Sequence, residues 1–327
     1  MTLLFLGATA LTACSGSDAG SSTATEPTAT TAAPETTVPD TTAAPDTTAA
    51  PDTTAAPITP DPGRPFELFT PTSYQDGTPM PLVILLHGYG ASGAIQEAYF
   101  QVQPLAEEKG FLYVHPDGTK NQVGDQFWNA TDACCSFGSE VDDVEYITGI
   151  IDQVSAERDV DPKRIYVMGH SNGGFMSYRM ACDLAGRVAA IASLAGATFD
   201  DPSKCTPDEP VSVLQVHGTA DGTISYEGGS TPVINSSYPS ALQTVTTWSG
   251  YNGCDATPTA TGETLDLESN IAGEETSVQE FGNCPTGIAV QLWSIDGGAH
   301  IPGIAFPDGS HHLTDGIIDF LLAHPKP

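Results

Sequence analysis

Over 327 residues, 41 acidic side chains stand against 10 Lys and Arg, a formal charge of −31. Such a surface repels nucleic acid and anionic lipid, so neither is expected as a partner. The acidic excess reads as a source of solubility, tolerated best where salt screens the self-repulsion, and it says nothing of an acidic substrate.

The first segment, Met1 to Ala13, is apolar and of export-signal length, short of the roughly 20 residues that cross a bilayer. Leu11-Thr12-Ala13-Cys14 resembles a bacterial lipobox, which makes Cys14 the expected lipidation site and its lipid the only expected membrane contact. The usual Lys or Arg ahead of the apolar run is missing, so a true start further upstream or ordinary cleavage and plain secretion is the alternative. From Ser15 to Pro62 the chain is almost wholly Thr, Ala, Pro, Ser, Asp and Glu, with Thr-Thr-Ala-Ala-Pro recurring from Thr41, Thr47 and Thr53. That composition buries too little to offset its ordering entropy and predicts a disordered spacer. Setting aside its seven acids leaves 34 acids and 10 bases, a formal −24, for one folded domain expected over 63–327.

In that domain, apolar runs at Pro81–Leu86, Phe111–Val114, Ile165–Met168, Ala189–Leu194, Val211–Val216 and Ala289–Trp293 read as buried parallel strands. Between the second and third, Val141, Val144, Ile147, Ile151 and Val154 recur at helical spacing, and Asp161-Pro162 is expected to stop the pattern. The alternation predicts an α/β fold, a doubly wound, mostly parallel sheet with helices on both faces. Ligands bind such sheets at the carboxyl ends of the strands, so the residues just after each run carry the functional reading.

After the third run comes Gly169-His170-Ser171-Asn172-Gly173-Gly174, then a helix-compatible stretch. A strand-to-helix turn this tight leaves room only for glycine beside the serine and presents its hydroxyl at the sheet edge, so Ser171 is the expected nucleophile. A hydroxyl is a weak nucleophile until a base takes its proton and an acid orients that base. Asp221 directly follows the Val211–Val216 run and is the expected acid, ahead of Asp200, Asp201 and Asp255. His300, on the glycine-rich loop after the last strand, is the expected base, ahead of His311, His312 and His324 at or within the final helix. His170 is read as packing or substrate lining, because neighbours on one turn share a proton poorly.

Acyl transfer also needs two N–H donors for the oxyanion. The amide of Asn172 follows the serine at a helix N-terminus, and Tyr89 in His87-Gly88-Tyr89-Gly90 is the expected second donor, its ring a wall of the acyl site. Trp128 lies on a long loop that should overhang the site, where it either stacks on a substrate ring or closes the loop's own core. Trp248, in a helical stretch, is expected in the core, and Asp142 and Asp143 at a helix N-terminus. Six cysteines besides Cys14 form an even set in a chain of exported type, which favours disulfides. Cys254 and Cys284 bracket a polar insertion and are the expected pair. The adjacent Cys134 and Cys135 are expected each to reach a different partner, Cys182 and Cys205 being the ones left.

Together, Leu86-His87-Gly88, Phe127-Trp128-Asn129 ahead of Cys134-Cys135, Val141-Asp142-Asp143-Val144, the Ser171 turn, Val216-His217-Gly218-Thr219-Ala220-Asp221 and Gly297-Gly298-Ala299-His300 resemble the polyhydroxybutyrate depolymerase-like esterases. These are α/β-hydrolases that include bacterial and fungal feruloyl esterases. The resemblance spans roughly 80–305 and implies hydrolysis of carboxylic esters on polymers outside the cell, with Ser171, Asp221 and His300 as triad. It departs at Ile301-Pro302-Gly303, where members usually carry a tryptophan before the proline. Feruloyl or acetyl esters of plant polysaccharide are the leading expected substrate, polyesters the second, and a catalytically silent surface binding protein a distant third. The chemistry calls for neither metal nor organic cofactor.

Overall fold

The computed structural model describes residues 63–136, 138–230 and 236–327. The expected signal segment, Cys14 and the spacer lie outside the described residues. In chain order the elements are β1 (Leu68–Phe69), β2 (Met80–Leu86), α1 (Gly93–Phe100), α2 (Val102–Lys109) and β3 (Leu112–Val114). A small ribbon follows, β4 (Thr119–Lys120) with β5 (Gln126–Phe127), then α3 (Asp143–Glu157), β6 (Val160–His170), α4 (Asn172–Asp183), β7 (Ala190–Leu194) and β8 (Ser212–Gly218). A second ribbon pairs β9 (Gly229–Ser230) with β10 (Ser237–Tyr238) ahead of α5 (Ala241–Asn252), β11 (Pro258–Leu265), β12 (Thr276–Phe281), β13 (Val290–Ile295) and α6 (His312–Ala323).

Nine strands form one sheet in the order β1-β3-β2-β6-β7-β8-β13-β12-β11. The six strands from β3 to β13 run parallel, while β1, β12 and β11 pair antiparallel at the edges. Alternate residues of β2 feed two separate cores. Leu82, Ile84 and Leu86 meet side chains of α3, α4 and α5, and Val83 and Leu85 meet those of α1, α2 and α6. Burial on both faces explains why these strands read as unbroken apolar runs, each fully buried Leu, Ile or Val contributing roughly 1.5–3 kcal/mol. Trp248 sits in the first core on α5, its indole N–H donating to the Thr198 hydroxyl at 2.9 Å.

Among the six parallel strands the order reverses between β2 and β6, so the loops after those two diverge and leave a crevice at their carboxyl ends. The helix seen in the Val141–Val154 pattern starts directly after Asp142, which caps it by accepting the Glu145 N–H on its side chain at 2.9 Å. It ends at Glu157, ahead of Asp161-Pro162, and β6 begins at Val160, five residues before the apolar run. The β2–β6 ladder is irregular between its Met80–Val160 and Leu82–Ile165 pairs, and Pro162 falls in that stretch.

The cysteines pair as Cys254–Cys284, Cys182–Cys205 and Cys134–Cys135. The expectation that Cys134 and Cys135 reach different partners is therefore corrected. Cys182, in the last turn of α4, and Cys205 have Cα atoms 5.7 Å apart, a span suited to a direct bridge, and this leaves the two neighbours to each other.

Candidate active site

At the end of β6 the backbone turns through Ser171 with φ 54° and ψ −121°, a conformation costing about 1–3 kcal/mol in a residue with a side chain. The flanking glycines make it possible. A Cβ at Gly169 would overlap the Gly173 carbonyl, and one at Gly173 would overlap the Leu86 carbonyl of the neighbouring strand. The Ser171 N–H donates to the Leu194 carbonyl at 2.8 Å, which ties the turn to β7. The serine Oγ thereby stands at the β2–β6 crevice.

Asp221 and His300 lie on the loops after β8 and β13, adjacent parallel strands, which is how residues 79 positions apart meet. His300 Nε2 is 3.0 Å from Ser171 Oγ, and His300 Nδ1 is 2.7 Å from Asp221 Oδ2. The other carboxylate oxygen, Oδ1, accepts the Thr223 and Ile224 N–H groups at 2.8 and 2.9 Å. Burial pushes the Asp221 carboxyl up, but the His217 and His300 imidazoles and the Thr223 amide outweigh it and hold it well below the usual carboxylate range. The arrangement can carry a proton from the Ser171 hydroxyl to His300 while a fixed negative charge steadies the resulting imidazolium. The rival residues other than His311 are engaged elsewhere. Asp200 accepts from Ser237, Asp201 caps a 3-10 turn and Asp255 accepts from Asn283. His312 and His324 bond the Asp266 and Phe320 carbonyls, and His311 stands at the start of α6.

The His300 loop is tethered along four residues. His170 Nε2 donates to the His300 carbonyl at 2.8 Å, and Tyr99 OH donates to that of Pro302 at 2.8 Å. Gly303 N–H is received by both oxygens of Glu268 at 2.8 Å, and its carbonyl accepts the Ser269 N–H at 2.6 Å. A Cβ at Gly303 would push aside the side-chain ends of Asn270, Glu268 and Ser269. His170 is itself buried, which lowers its pKa to about 4, with the adjacent His300 adding to the effect, so it stays a neutral donor.

Tyr89 and Asn172 approach from the other side. Gly88 N–H donates to Gln96 at 3.0 Å and Gly90 N–H to the Gln126 carbonyl at 2.8 Å, fixing the loop that carries Tyr89. The Tyr89 hydroxyl is held by Asp125 and Asn121, each at 2.9 Å. Asn172 is the first residue of α4, where an N–H has no intrahelical acceptor. Its side chain pairs with the Trp128 backbone in both directions, at 2.8 and 2.9 Å. Trp128 is fully buried, its ring between His87 and Tyr146 and its indole N–H donating to the His87 carbonyl at 3.0 Å. A substrate contact by Trp128 is thereby corrected. The loop folds inward beside Cys134, and the tryptophan braces the Tyr89 loop against the Ser171 turn. Asp143, on the same loop's far side, is buried, accepting from Asn129 at 2.7 Å and pairing with Arg64.

The resulting cleft, of about 240 Å³, is lined by Gly88, Tyr89, Ile95, Tyr99, His170, Ser171, His300 and Ile301. Three of the five large apolar side chains exposed among the described residues ring it: Tyr89 at 38%, Ile95 at 61% and Ile301 at 63%. Among the described residues no group of three or more His, Cys, Asp or Glu is placed to hold a metal ion. Sequence reasoning missed Tyr99, Glu268 and the second histidine near the acid, His217. Only His217 carried a signal, its place within the Asp221 motif.

A family model for phospholipases and carboxylesterases matches residues 73–237. Feruloyl esterase B of Piromyces equi is 31% identical over 242 residues, covering 71% of this chain, and the chain spans 42% of that enzyme's length. A putative esterase of Nocardia uniformis is 28% identical over 262 residues, covering 74% of each chain. The acetyl xylan esterase of Aspergillus awamori superposes with a TM-score of 0.51 at 16% identity, over 72% of this chain and 88% of that one, a likeness of fold. The sheet order, the serine turn and the matched family model lead to one assignment: the chain belongs to the phospholipase/carboxylesterase family of α/β-hydrolases.

Proposed function

We propose that the protein is a serine carboxylic-ester hydrolase in which Ser171 attacks the ester carbonyl carbon. His300 Nε2 takes the hydroxyl proton, and the N–H groups of Asn172 and Tyr89 receive the negative oxygen of the tetrahedral intermediate. Collapse expels the alcohol with the proton from His300 and leaves an acyl-Ser171 ester. Water, deprotonated by the same imidazole, then releases the carboxylic acid and restores the serine. Asp221 holds His300 in the tautomer that serves both halves. The observation carrying this reading is the continuous contact from Ser171 through His300 to Asp221, at 3.0 and 2.7 Å, at the mouth of a cleft.

For substrate, feruloyl or acetyl esters of plant polysaccharide are proposed. Support comes from the feruloyl esterase relatives and from the rim of Tyr89, Ile95 and Ile301, an apolar clasp for an aromatic acyl group beside an open solvent side for a sugar. The same rim suits an aliphatic polyester, which is the second reading. Three cysteine pairs support work in an oxidising, extracellular setting, with a lipid on Cys14 and the 15–62 spacer as the proposed tether.

The test is hydrolysis by the full chain, intact and as Ser171→Ala, of para-nitrophenyl butyrate, methyl ferulate and hydroxybutyrate oligomers. Loss of activity in the variant with methyl ferulate the best natural-type ester is the expected result. Preference for the oligomers moves the substrate to polyesters, and equal activity in both proteins, or none in either, refutes the hydrolase reading.

A further inference from the structure

The Asp221 carboxylate has a second histidine beside it. His217 Nε2 lies 3.4 Å from Asp221 Oδ2, the same oxygen that receives His300. His217 is 1% exposed, and its hydrogen-bond partners fix which nitrogen carries the proton. Gln215 sits two residues back on β8, also fully buried, with its amide orientation set from both ends. Its oxygen accepts the Tyr178 hydroxyl at 2.7 Å, and its nitrogen donates to the Gly196 carbonyl at 2.8 Å, a group that can only accept. That nitrogen also stands 3.1 Å from His217 Nδ1, which must therefore be the bare, accepting atom. The single ring proton is left on Nε2, which bonds the Ile224 carbonyl at 2.8 Å with Asp221 Oδ2 the next acceptor, at 3.4 Å. Ile224 closes the circuit, since its own N–H donates to Asp221 Oδ1.

We propose that His217 is a positioning residue for Asp221, holding the 221–224 turn and lending a neutral N–H to the carboxylate oxygen that orients His300. This goes beyond the hydrolase reading and rests on it. The reason for a histidine at this position is directional. Tyr178 on α4 orients Gln215, Gln215 orients His217, and His217 presents a donor and no charge to a carboxylate that must remain ionised and aimed. A second cation beside Asp221 would weaken its support of the His300 imidazolium, and an apolar residue would leave Oδ2 with His300 as its one remaining partner. The titratable groups facing His217 are Asp221, His300 and His170 across the site, with the Tyr226 ring edge-on at 5.7 Å and the Tyr178 hydroxyl behind Gln215.

The experiment follows para-nitrophenyl acetate hydrolysis by the full chain from pH 5 to 9, as wild type, His217→Leu and His217→Gln, the last keeping a donor near the Nε2 position. Loss of that donor leaves Asp221 more basic, so it holds the His300 proton harder and the acid limb of kcat/KM moves to higher pH. His217→Leu is expected to lose about tenfold in kcat, one hydrogen bond's worth, with KM unchanged and the acid limb raised. His217→Gln is expected to recover both. A leucine variant with wild-type kcat and acid limb overturns the proposal, as do two variants equally slow with the limb unmoved. Should the leucine variant not fold, nitrogen-15 NMR of the wild-type imidazoles decides the matter. His217 neutral with its proton on Nε2, throughout the range in which His300 titrates, is the expected result. A proton on Nδ1, or titration of His217 alongside His300, overturns the proposal. A wild type without esterase activity sinks the hydrolase reading and leaves the same NMR result to decide His217.

Discussion

Replacing Glu268 by alanine should loosen the active-site loop from a distance. Glu268 is 4% exposed and spends both oxygens on the Gly303 N–H, three residues after His300, while also receiving the Asn270 backbone and side-chain amides at 2.9 and 2.8 Å. Asn270 is at the surface, so water replaces its lost partner, but the half-buried Gly303 N–H loses a charged acceptor. Hydrogen bonds to charged groups contribute roughly 1.5–3 kcal/mol, so Glu268→Ala should destabilise the domain by about 2 kcal/mol. For a domain of this size that is a fall in melting temperature of about 4–8 °C. The base also loses an anchor. Hydrolysis well below the new melting temperature should therefore show a lower kcat, accompanied by a higher KM for aromatic esters because Ile301 travels with the loop. Differential scanning fluorimetry and steady-state kinetics on one preparation measure both. A variant melting within 1 °C of wild type with unaltered kcat refutes the idea that this carboxylate anchors the loop.

The neutral His170 gives a second expectation. With a folded pKa of about 4 against 6.5 when free, it binds fewer protons in the native state, so stability falls as pH drops from 6.5 toward 4, by up to about 3 kcal/mol. Melting curves of wild type and His170→Gln across that window should diverge, the wild type losing more on acidification, and parallel curves would assign the loss elsewhere. Trp128→Phe should cost about 2–4 kcal/mol by opening a gap and stranding the His87 carbonyl, with no selective rise in KM for ferulate esters. A selective rise at unchanged melting temperature would return Trp128 to the substrate. Ile301→Ala should weaken kcat/KM for aromatic acyl groups about tenfold, leaving acetyl esters little affected, and an equal loss on both would remove Ile301 from the acyl wall.

What could be read from sequence followed how densely the physics constrains each segment. The strands from β2 to β13 that run parallel are buried on both faces, so their residues had almost no freedom to be polar. Gly169 and Gly173 admit no side chain, so the serine turn is written in residue identity. β11 escaped notice because six of its eight residues are exposed, leaving neither an apolar run nor alternation. Trp128 was ambiguous since a loop's sequence does not say which way it folds; that depends on the Asn172 amide, 44 residues away. Glu268 is one of six acids between Asp255 and Glu275, and nothing local separates the one that receives the His300 loop from the five others. The bridge from Cys182 to Cys205 depends on where α4 ends in space, a distance no spacing rule supplies.

The outer margins of the sheet bear on how these molecules behave when crowded. An unpaired strand edge is a template onto which another chain can add, and long flat edges seed aggregates. Here one margin is β1, only two residues long, and the other is β11, whose pairing with β12 slips between Ala260 and Thr264 around Gly262 at φ 81°. Thr259, Thr261, Glu263 and Thr264 give that margin polar side chains in place of apolar ones. A broad, strongly apolar sheet thus ends on both sides in strands too short or too irregular to recruit a neighbour, and high local density should not turn the hydrolase into fibrils.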